Sequence, residues 1–346
     1  MSDSRPDSWT PPRSAPRRSS PASFGVRPSQ LTGAVLGGRY KIHGYLRRGL
    51  SARVYLAEDL ESQGSVVIKL LSPTVTKDDA LRQQIAEARE RTQPIQHPNL
   101  VDLLGVAETA AGIPYLVMEA LAGETLDESL RRLGTLPLDL ALVVARQITA
   151  GVSALHAAGV VHADVRPENV MLLGAPEQPY GAKLLNYGIA RYFRDASIPS
   201  SFDPTRSAYF APEQLLDGRS EPTSDVYALG VLLLQILSGR LPFQESSEPE
   251  CLKRKLTGDT LQGIWVDEAV DARLEWIVLN ATRRHPKNRY DSSEALLNDL
   301  DAIVGLSTRA VRILPSVLTP DSYEPSSEAG RARLVSLAEG SATANS

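Results

Sequence analysis

The sequence predicts an α+β fold of two lobes, in which a small antiparallel β lobe with one helix precedes a larger, mainly helical lobe. Between residues 40 and 121 apolar side chains alternate with period two, the pattern of strands with one buried face, and one helical stretch at about 78–91 interrupts them. After residue 137 the apolar spacing becomes helical, and Gly159 ends the run. The residues that show this spacing are Leu140, Val144, Ile148, Val152 and Leu155.

Both ends of the chain differ in composition from the region between them. Residues 1–36 are rich in Ser, Pro and Arg, so they cannot bury enough apolar surface to offset the entropy of ordering. We predict a disordered tail at 1–36, a folded region at 39–304 and a flexible tail at 305–346. The small lobe should cover about 39–118 and the large lobe about 122–304, with later helices at about 225–237, 274–282 and 293–304.

Charge, cysteine content and hydropathy exclude several classes of protein. The 346 residues include 37 basic and 41 acidic side chains, a balance that calls for neither nucleic acid nor a membrane surface as a partner. The one cysteine, Cys251, excludes an internal disulfide and suits a reducing compartment. The longest apolar run, at 226–237, is too short to span a membrane, and no signal peptide is visible, so we expect a cytoplasmic protein.

Several short motifs follow one another in order along the chain. They are RRGLSARV at 47–54, VVIK at 66–69, YLVMEAL at 115–121, HADVRPEN at 162–169, LLNYG at 184–188, APE at 211–213 and SDVYALG at 224–230. Their order and spacing resemble those of protein kinases, especially the bacterial eukaryotic-like serine/threonine kinases. The resemblance covers about residues 39–304 and implies a two-lobed protein-kinase fold that binds ATP between the lobes.

The resemblance assigns nucleotide-binding residues to both sides of the predicted cleft. Lys69 matches the strand lysine that contacts the phosphates, and Val67, two residues earlier, faces the same side of the strand. Glu87 is the expected carboxylate partner of Lys69, with Glu90 as a lesser candidate. Met118 corresponds to the gatekeeper before the hinge. The other residues implied around ATP are Leu46, Gly49, Val54, Glu119, Leu121 and Met171.

The motif at 162–169 resembles the kinase catalytic loop. Asp164 stands where the family places the carboxylate that orients the substrate hydroxyl, and Asn169 stands where it places a magnesium ligand. Arg166 replaces the family's lysine and keeps its charge but not its shape. Ala163 replaces an arginine that usually grips a phosphorylated loop. The PEN ending is that of serine/threonine rather than tyrosine kinases.

The most informative departure from the family is Asn186, which replaces an aspartate that is the principal protein ligand of the ATP-bound magnesium in the family. A hard dication prefers charged oxygen ligands, so a neutral amide should leave the binding of Mg²⁺ weakened or absent. Arg47 and Ala52 replace the first and third glycines of the loop that covers the phosphates, of which Gly49 remains. The metal site and the phosphate loop are therefore both altered.

Arg206 lies five residues before Ala211, where the family places a threonine beside the catalytic aspartate. We predict that its guanidinium pairs with Asp164 and blocks the site of the substrate hydroxyl, since pairing with a carboxylate is its favoured geometry. Two alternatives stay open. Arg206 turns to solvent, or the register of the segment differs by one residue and places Thr205 or Ser207 there.

Residues expected to hold the fold are retained. Asp225 should bind the catalytic-loop backbone, and Arg289 should pair with Glu213. The altered positions belong to the metal site, the phosphate loop and the substrate segment. We therefore interpret the chain as a pseudokinase, an ATP-binding regulatory or scaffold module with impaired phosphotransfer and an unknown protein partner. The alternative is a weakly active or atypical kinase that transfers the γ-phosphate of ATP to protein Ser or Thr. A third hypothesis is a different reaction on the same fold.

Overall fold

The small lobe is built on a six-stranded antiparallel sheet with the order β1-β2-β3-β4-β6-β5. Its strands are β1 Val35–Leu36, β2 Tyr40–Arg48, β3 Ala52–Asp59, β4 Ser65–Leu71, β5 Leu103–Glu108 and β6 Pro114–Glu119. The computed structural model of the chain describes residues 28–48, 52–72, 83, 87, 90–92, 94–176, 178–187, 203–244, 247–257 and 272–307. Residues 83, 87 and 90–92 are helical, in or next to the helix predicted at about 78–91.

The two faces of this sheet have different environments, because side chains alternate along each strand. One face carries the small-lobe core, which includes the fully buried Tyr55 and Ile68. The opposite face turns towards the large lobe, since Lys69 reaches Asn186 there. Two rows of side chains cross β3, β4 and β6 on this face: Val54, Lys69 and Leu116, then Leu56, Val67 and Met118.

Folded structure begins upstream of the predicted boundary at residue 36. A 3-10 helix, Pro28–Leu31, and strand β1 belong to the small lobe, where Leu36 is buried in the core and Leu31 packs against it. The predicted tail at 1–36 is therefore too long, because these leucines supply apolar surface that the average composition of the segment conceals. Residues 1–27 and 308–346 lie outside the described residues.

The large lobe is mainly helical, as predicted. Its helices are α1 Leu126–Leu133, α2 Leu138–Ala157, α3 Pro204–Tyr209, α4 Pro212–Asp217, α5 Pro222–Ser238, α6 Glu248–Thr257, α7 Ala272–Ala281 and α8 Ser293–Ser307. Helix α5 packs against α2, α7 and α8 and is buried along most of its length, which explains its nearly uninterrupted apolar sequence. By length and composition, α2 is the one helix in the described part of the chain that could cross a membrane, and half of its apolar window is buried in this lobe.

A second antiparallel sheet, with the order β7-β8-β9, was not predicted from the sequence. Its strands are β7 Gly123–Thr125, β8 Val170–Ala175 and β9 Gln178–Leu184. Strand β9 is bonded to the segment before β5, because Val101 N donates to Leu184 O at 3.0 Å and Leu184 N donates to Asn99 O at 2.8 Å. This pairing connects the two lobes and brings Asn186, two residues after β9, to the cleft.

Two contacts predicted to hold the framework are confirmed. Asp225, on α5, accepts hydrogen bonds from His162 N and Ala163 N, both at 2.8 Å, and so holds the catalytic-loop backbone. Arg289 forms a bidentate pair with Glu213, with N–O distances of 2.7 and 2.9 Å. The Arg289 side chain has no exposed surface and also donates to three backbone carbonyls. This pair therefore joins α4 to the segment before α8.

We predict that Arg289→Met destabilises the fold far more than the loss of an exposed ion pair. The variant leaves the Glu213 carboxylate largely buried without its partner, which costs about 3–5 kcal/mol of unfolding free energy. Arg219→Met, which breaks the exposed pair with Asp217, is the matched control and should leave the urea midpoint nearly unchanged. Urea denaturation of both variants measures the difference, and similar midpoints for the two would contradict the structural role of Arg289.

Candidate functional site

The catalytic loop lies between α2 and the 3-10 helix Pro167–Asn169, and buried hydrogen bonds fix its backbone. His162 Nε2 donates to Leu185 O at 2.9 Å, and His162 Nδ1 accepts from Asp164 N at 3.2 Å. Burial lowers the pKa of His162, which keeps the ring in the neutral form that accepts at Nδ1. Gln214 Nε2 donates to Ala163 O at 3.2 Å. These contacts hold Asp164 in one orientation.

A chain of side-chain hydrogen bonds crosses the cleft from Lys69 to Asp164. Lys69 Nζ donates to Asn186 Oδ1 at 2.8 Å, and Asn186 Nδ2 donates to Asn169 Oδ1 at 2.8 Å. Asn169 Nδ2 in turn donates to Asp164 O at 2.7 Å and to Asp164 Oδ2 at 3.1 Å. Both oxygens of Asp164 only accept, so Asn169 must turn its NH₂ to Asp164 and its oxygen to Asn186. These partners fix the orientation of the side-chain amides of Asn169 and Asn186.

Two arginine side chains lie within ion-pair distance of the Asp164 carboxylate. Arg206 Nε, from α3, donates to Asp164 Oδ1 at 3.0 Å, and Arg166 Nε lies 3.3 Å from the same oxygen. Burial alone would raise the pKa of Asp164, but the two guanidinium groups outweigh it and lower that pKa. The predicted contact between Arg206 and Asp164 is therefore confirmed, and the two alternative placements of this segment are not adopted.

Lys69 lies in a positively charged part of the cleft. Burial lowers the pKa of the Lys69 ammonium to about 7, and the charge of Arg47 on β2 lowers it further, while Asp164 acts in the opposite direction. Arg47 also interacts electrostatically with Arg166. Three cationic side chains thus surround the region where the resemblance places the phosphates.

Apolar side chains from both lobes lie beside the hinge between β6 and α1. They are Leu46, Leu56, Val67, Met118, Ala120, Leu121 and Met171, whereas Val54 on β3 lies opposite Lys69. Leu46 and Val67 pack with Leu56 and Ala120, whereas Met118 and Met171 pack against the large-lobe core. An apolar slot bounded by a polar end is the usual form of a site for a nucleotide base and its phosphates.

The hinge itself is tied to both sheets through Glu119. Its carboxylate accepts from Asp102 N at 2.8 Å and pairs with Lys183 on β9. Glu119 was predicted as a residue around ATP, but its pair with Lys183 was not predicted from the sequence. A glutamate and a lysine 64 positions apart give no local signal, and only the alternation of β9, had that strand been recognised, could have pointed to Lys183.

The structure does not bring Glu87 to Lys69. Glu87 is exposed, and its carboxylate accepts from Gln83 Nε2 at 3.1 Å on the same helical stretch, while Lys69 donates to Asn186. The predicted Lys69–Glu87 pair is thus absent from the contacts of the described residues, because the rotation of a helix relative to a strand cannot be read from spacing alone. Glu90 is exposed as well. Gly49, another predicted nucleotide contact, lies outside the described residues.

The two oxygen atoms predicted to bind magnesium are neutral, and each already accepts a hydrogen bond. The two predicted ligand atoms, Asn169 Oδ1 and Asn186 Oδ1, each accept a hydrogen bond at 2.8 Å. The carboxylate of Asp164 is held by Arg166 and Arg206. Across the described ranges, no group of three or more His, Cys, Asp or Glu side chains is arranged to hold a metal ion. Magnesium demands an octahedral shell of hard oxygens, which two occupied neutral amides do not offer.

Comparisons with known proteins agree with this architecture. A family model described as the protein kinase domain matches residues 40–321. The serine/threonine-protein kinase PknL of Mycobacterium tuberculosis is 32% identical over 276 residues, which are 79% of this chain and 67% of PknL. PrkC of Bacillus subtilis, also named a serine/threonine-protein kinase, is 30% identical over 78% of this chain and 41% of its own length. This chain thus spans about two fifths of PrkC.

A solved structure shows the same fold. The crystal structure of the PknI kinase domain of Mycobacterium tuberculosis matches with a TM-score of 0.58 and 21% identity, over 78% of this chain and 98% of that domain. Since the family model covers most of the chain and a relative above 30% identity covers nearly four fifths of it, the chain belongs to the protein kinase family, among relatives that are bacterial eukaryotic-like serine/threonine kinases.

Proposed function

We propose that this chain is a pseudokinase, a nucleotide-binding regulatory or scaffold module that acts through a protein partner and has impaired phosphotransfer. The observation that carries the proposal is the hydrogen bond from Asn186 Nδ2 to Asn169 Oδ1 at 2.8 Å. An ionised aspartate at position 186 could only accept, so it would face Asn169 Oδ1 as a second acceptor and favour a cation between them. The amide of Asn186 supplies hydrogen atoms at that place instead.

The electrostatics of the cleft favour a nucleotide that brings no metal. Phosphate oxygens need positive charge around them, which Mg²⁺ provides in ordinary kinases. Lys69, Arg47 and Arg166 place three cationic side chains in this region, two of them arginines that pair well with phosphate. These side chains can contact a polyphosphate, although Arg166 also pairs with Asp164 and Glu168, and the amide pair offers a metal only neutral oxygens that already accept hydrogen bonds. We therefore propose ATP as the ligand, with weak or absent dependence on Mg²⁺.

The substrate side of the site is obstructed as well. In a kinase the catalytic aspartate must accept a hydrogen bond from the hydroxyl that receives the phosphoryl group. Here Arg206 Nε donates to Asp164 Oδ1 at 3.0 Å, from a helix that lies over the catalytic loop. Phosphotransfer thus lacks a metal ligand and a free base, and each loss weakens the same transition state.

A second candidate is an atypical, slow serine/threonine kinase. Lys69, Asp164 and Asn169 are all present, and the relatives are named serine/threonine-protein kinases. Arg206 would then have to leave Asp164, and Asn186 would have to turn its oxygen to a metal. Turnover by the unmodified protein separates the two candidates.

We predict that Asn186→Asp raises phosphotransfer by about tenfold or more, equivalent to at least about 1.4 kcal/mol of transition-state stabilisation. The change restores a charged ligand, and Asn186 has φ 65°, a conformation that both Asn and Asp tolerate, so the fold should remain intact. Incorporation of labelled phosphate from ATP with Mg²⁺ or Mn²⁺ measures the effect.

The control for this experiment is Asp164→Ala in the Asn186→Asp background, which should remove the gained activity. Robust turnover by the unmodified protein that Asp164→Ala abolishes would overturn the pseudokinase proposal and establish the kinase.

We predict that the affinity for ATP changes by less than about threefold when Mg²⁺ is added, since the protein offers the metal only two neutral amide oxygens that already accept hydrogen bonds. Isothermal titration calorimetry with Mg²⁺ or with EDTA measures it. Asn186→Asp is the matched variant and should acquire a clear preference for Mg²⁺. A strong gain with Mg²⁺ in the unmodified protein contradicts the argument from the amide pair, and a complete lack of binding makes the cleft purely structural.

We predict that nucleotide binding takes up protons around pH 7.5. The pKa of Lys69 is lowered to about 7, so the amine is partly neutral at this pH, and phosphate beside it favours the charged form and raises that pKa again. The affinity should therefore fall as the pH rises above 7. Calorimetry in buffers of different ionisation enthalpy gives the number of protons bound. Lys69→Arg, which cannot titrate in this range, isolates the lysine from the titration of the nucleotide. Equal proton uptake by both proteins would contradict the prediction.

A further inference from the structure

Helix α3, which carries Arg206, is too short to be stable by itself. It has six residues, Pro204–Tyr209, whereas isolated helices need roughly 12–15 residues even to be marginal in water. Its N-terminus is capped, because Asp203 Oδ1 accepts from Thr205 N at 3.0 Å and from Arg206 N at 3.2 Å. The position of Arg206 over Asp164 therefore depends on contacts that hold α3 from outside.

The other end of α3 is held by Lys255, a buried residue on α6. Its Nζ donates to Ala208 O and to Phe210 O, both at 2.7 Å, and lies 3.3 Å from Tyr227 Oη. The last carbonyls of a helix have no partner within the helix, and a cation there also interacts favourably with the helix dipole. Lys255 thus satisfies the C-terminal end of α3 as Asp203 satisfies the N-terminal end.

The surroundings of Lys255 make this contact a rigid one. The Lys255 side chain is 3% exposed, and its Nζ lies 4.8 Å from the ring centroid of Tyr227 and 4.5 Å from that of Phe243. Tyr227 belongs to α5, the most deeply buried helix of the lobe. A buried ammonium is costly unless acceptors surround it, so Lys255 and the carbonyls of residues 208 and 210 hold one another in place.

A direct line of contacts runs from Lys255 to the catalytic aspartate. Lys255 fixes the carbonyl of Phe210, the Arg206 guanidinium lies 5.2 Å from the Phe210 ring centroid, and Arg206 Nε donates to Asp164. We infer that Lys255 is the positioning residue that holds Arg206 on Asp164, so that α6 controls access to the catalytic aspartate. This inference deepens the proposed function, since it rests on Arg206 obstructing the substrate site.

The test measures the accessibility of Arg206 in the full chain and needs neither nucleotide nor catalysis, so its outcome is independent of whether the protein transfers phosphate. The reaction of each arginine with phenylglyoxal is followed by peptide mass spectrometry. The variant is Lys255→Met, which keeps the linear side chain and removes the charge and the donors. Lys253→Met, at an exposed position on the same helix, is the matched control.

In Lys255→Met, Arg206 should react about tenfold faster than in the unmodified protein, because α3 opens locally. It should keep its original rate in Lys253→Met. Arg219, with a 68% exposed side chain, should react equally in all three proteins, and Arg289, which has no exposed side-chain surface, should stay protected. Unchanged reactivity of Arg206 in Lys255→Met, with Arg289 still protected, would overturn the inference.

A general loss of structure is recognised by reaction of Arg289. In that case Lys255→Gln, which keeps a neutral donor for one carbonyl, is used in place of Lys255→Met. The reaction rates of Arg206 and Arg289 are then compared in the same way. Faster reaction of Arg206 with Arg289 protected supports the positioning role, and an unchanged rate excludes it.

Discussion

The hydrogen bond between the side chains of Asn186 and Asn169 is the contact on which the proposed loss of metal binding depends. One hydrogen of the Asn186 amide lies between Asn186 Nδ2 and Asn169 Oδ1, the two side chains at which the kinase family is expected to hold a dication. The same orientation turns Asn186 Oδ1 to Lys69 and Asn169 Nδ2 to Asp164, so a single chain of hydrogen bonds connects these four side chains across the cleft. A metal ion at Asn169 Oδ1 and Asn186 Oδ1 would gain two neutral ligands, each of which already accepts a hydrogen bond.

The rest of the lobe supports this arrangement without taking part in it. Asp225 holds the catalytic-loop backbone, and the buried Glu213–Arg289 pair holds the segment after α3. These contacts serve an active kinase equally well, which explains how a chain can keep the fold while its chemical groups change. The residues that differ from the family pattern lie where the resemblance places the phosphates, the metal or the substrate. They are Arg47, Arg166, Asn186 and Arg206.

Much of the framework could be predicted because single residues in fixed motifs determine it. Asp225 and Arg289 make the expected contacts since each sits at a set place on a helix or turn. The Lys69–Glu87 pair was wrong as a contact because it depends on the rotation of a whole helix, and Lys183 was missed because β9 was not recognised. The bond between Asn169 and Asn186 was missed for a different reason. Both were predicted to bind magnesium through their side-chain oxygens, but the sequence does not show which way an amide turns.

The most direct test of this account is the anomalous scattering of manganese in crystals of the full chain grown with an ATP analogue and Mn²⁺. We predict nucleotide density between the lobes, an intact hydrogen bond from Asn186 to Asn169, and no anomalous peak beside their side-chain oxygens. A strong anomalous peak within coordination distance of both Asn169 Oδ1 and Asn186 Oδ1, with the amide of Asn186 turned away, would contradict it.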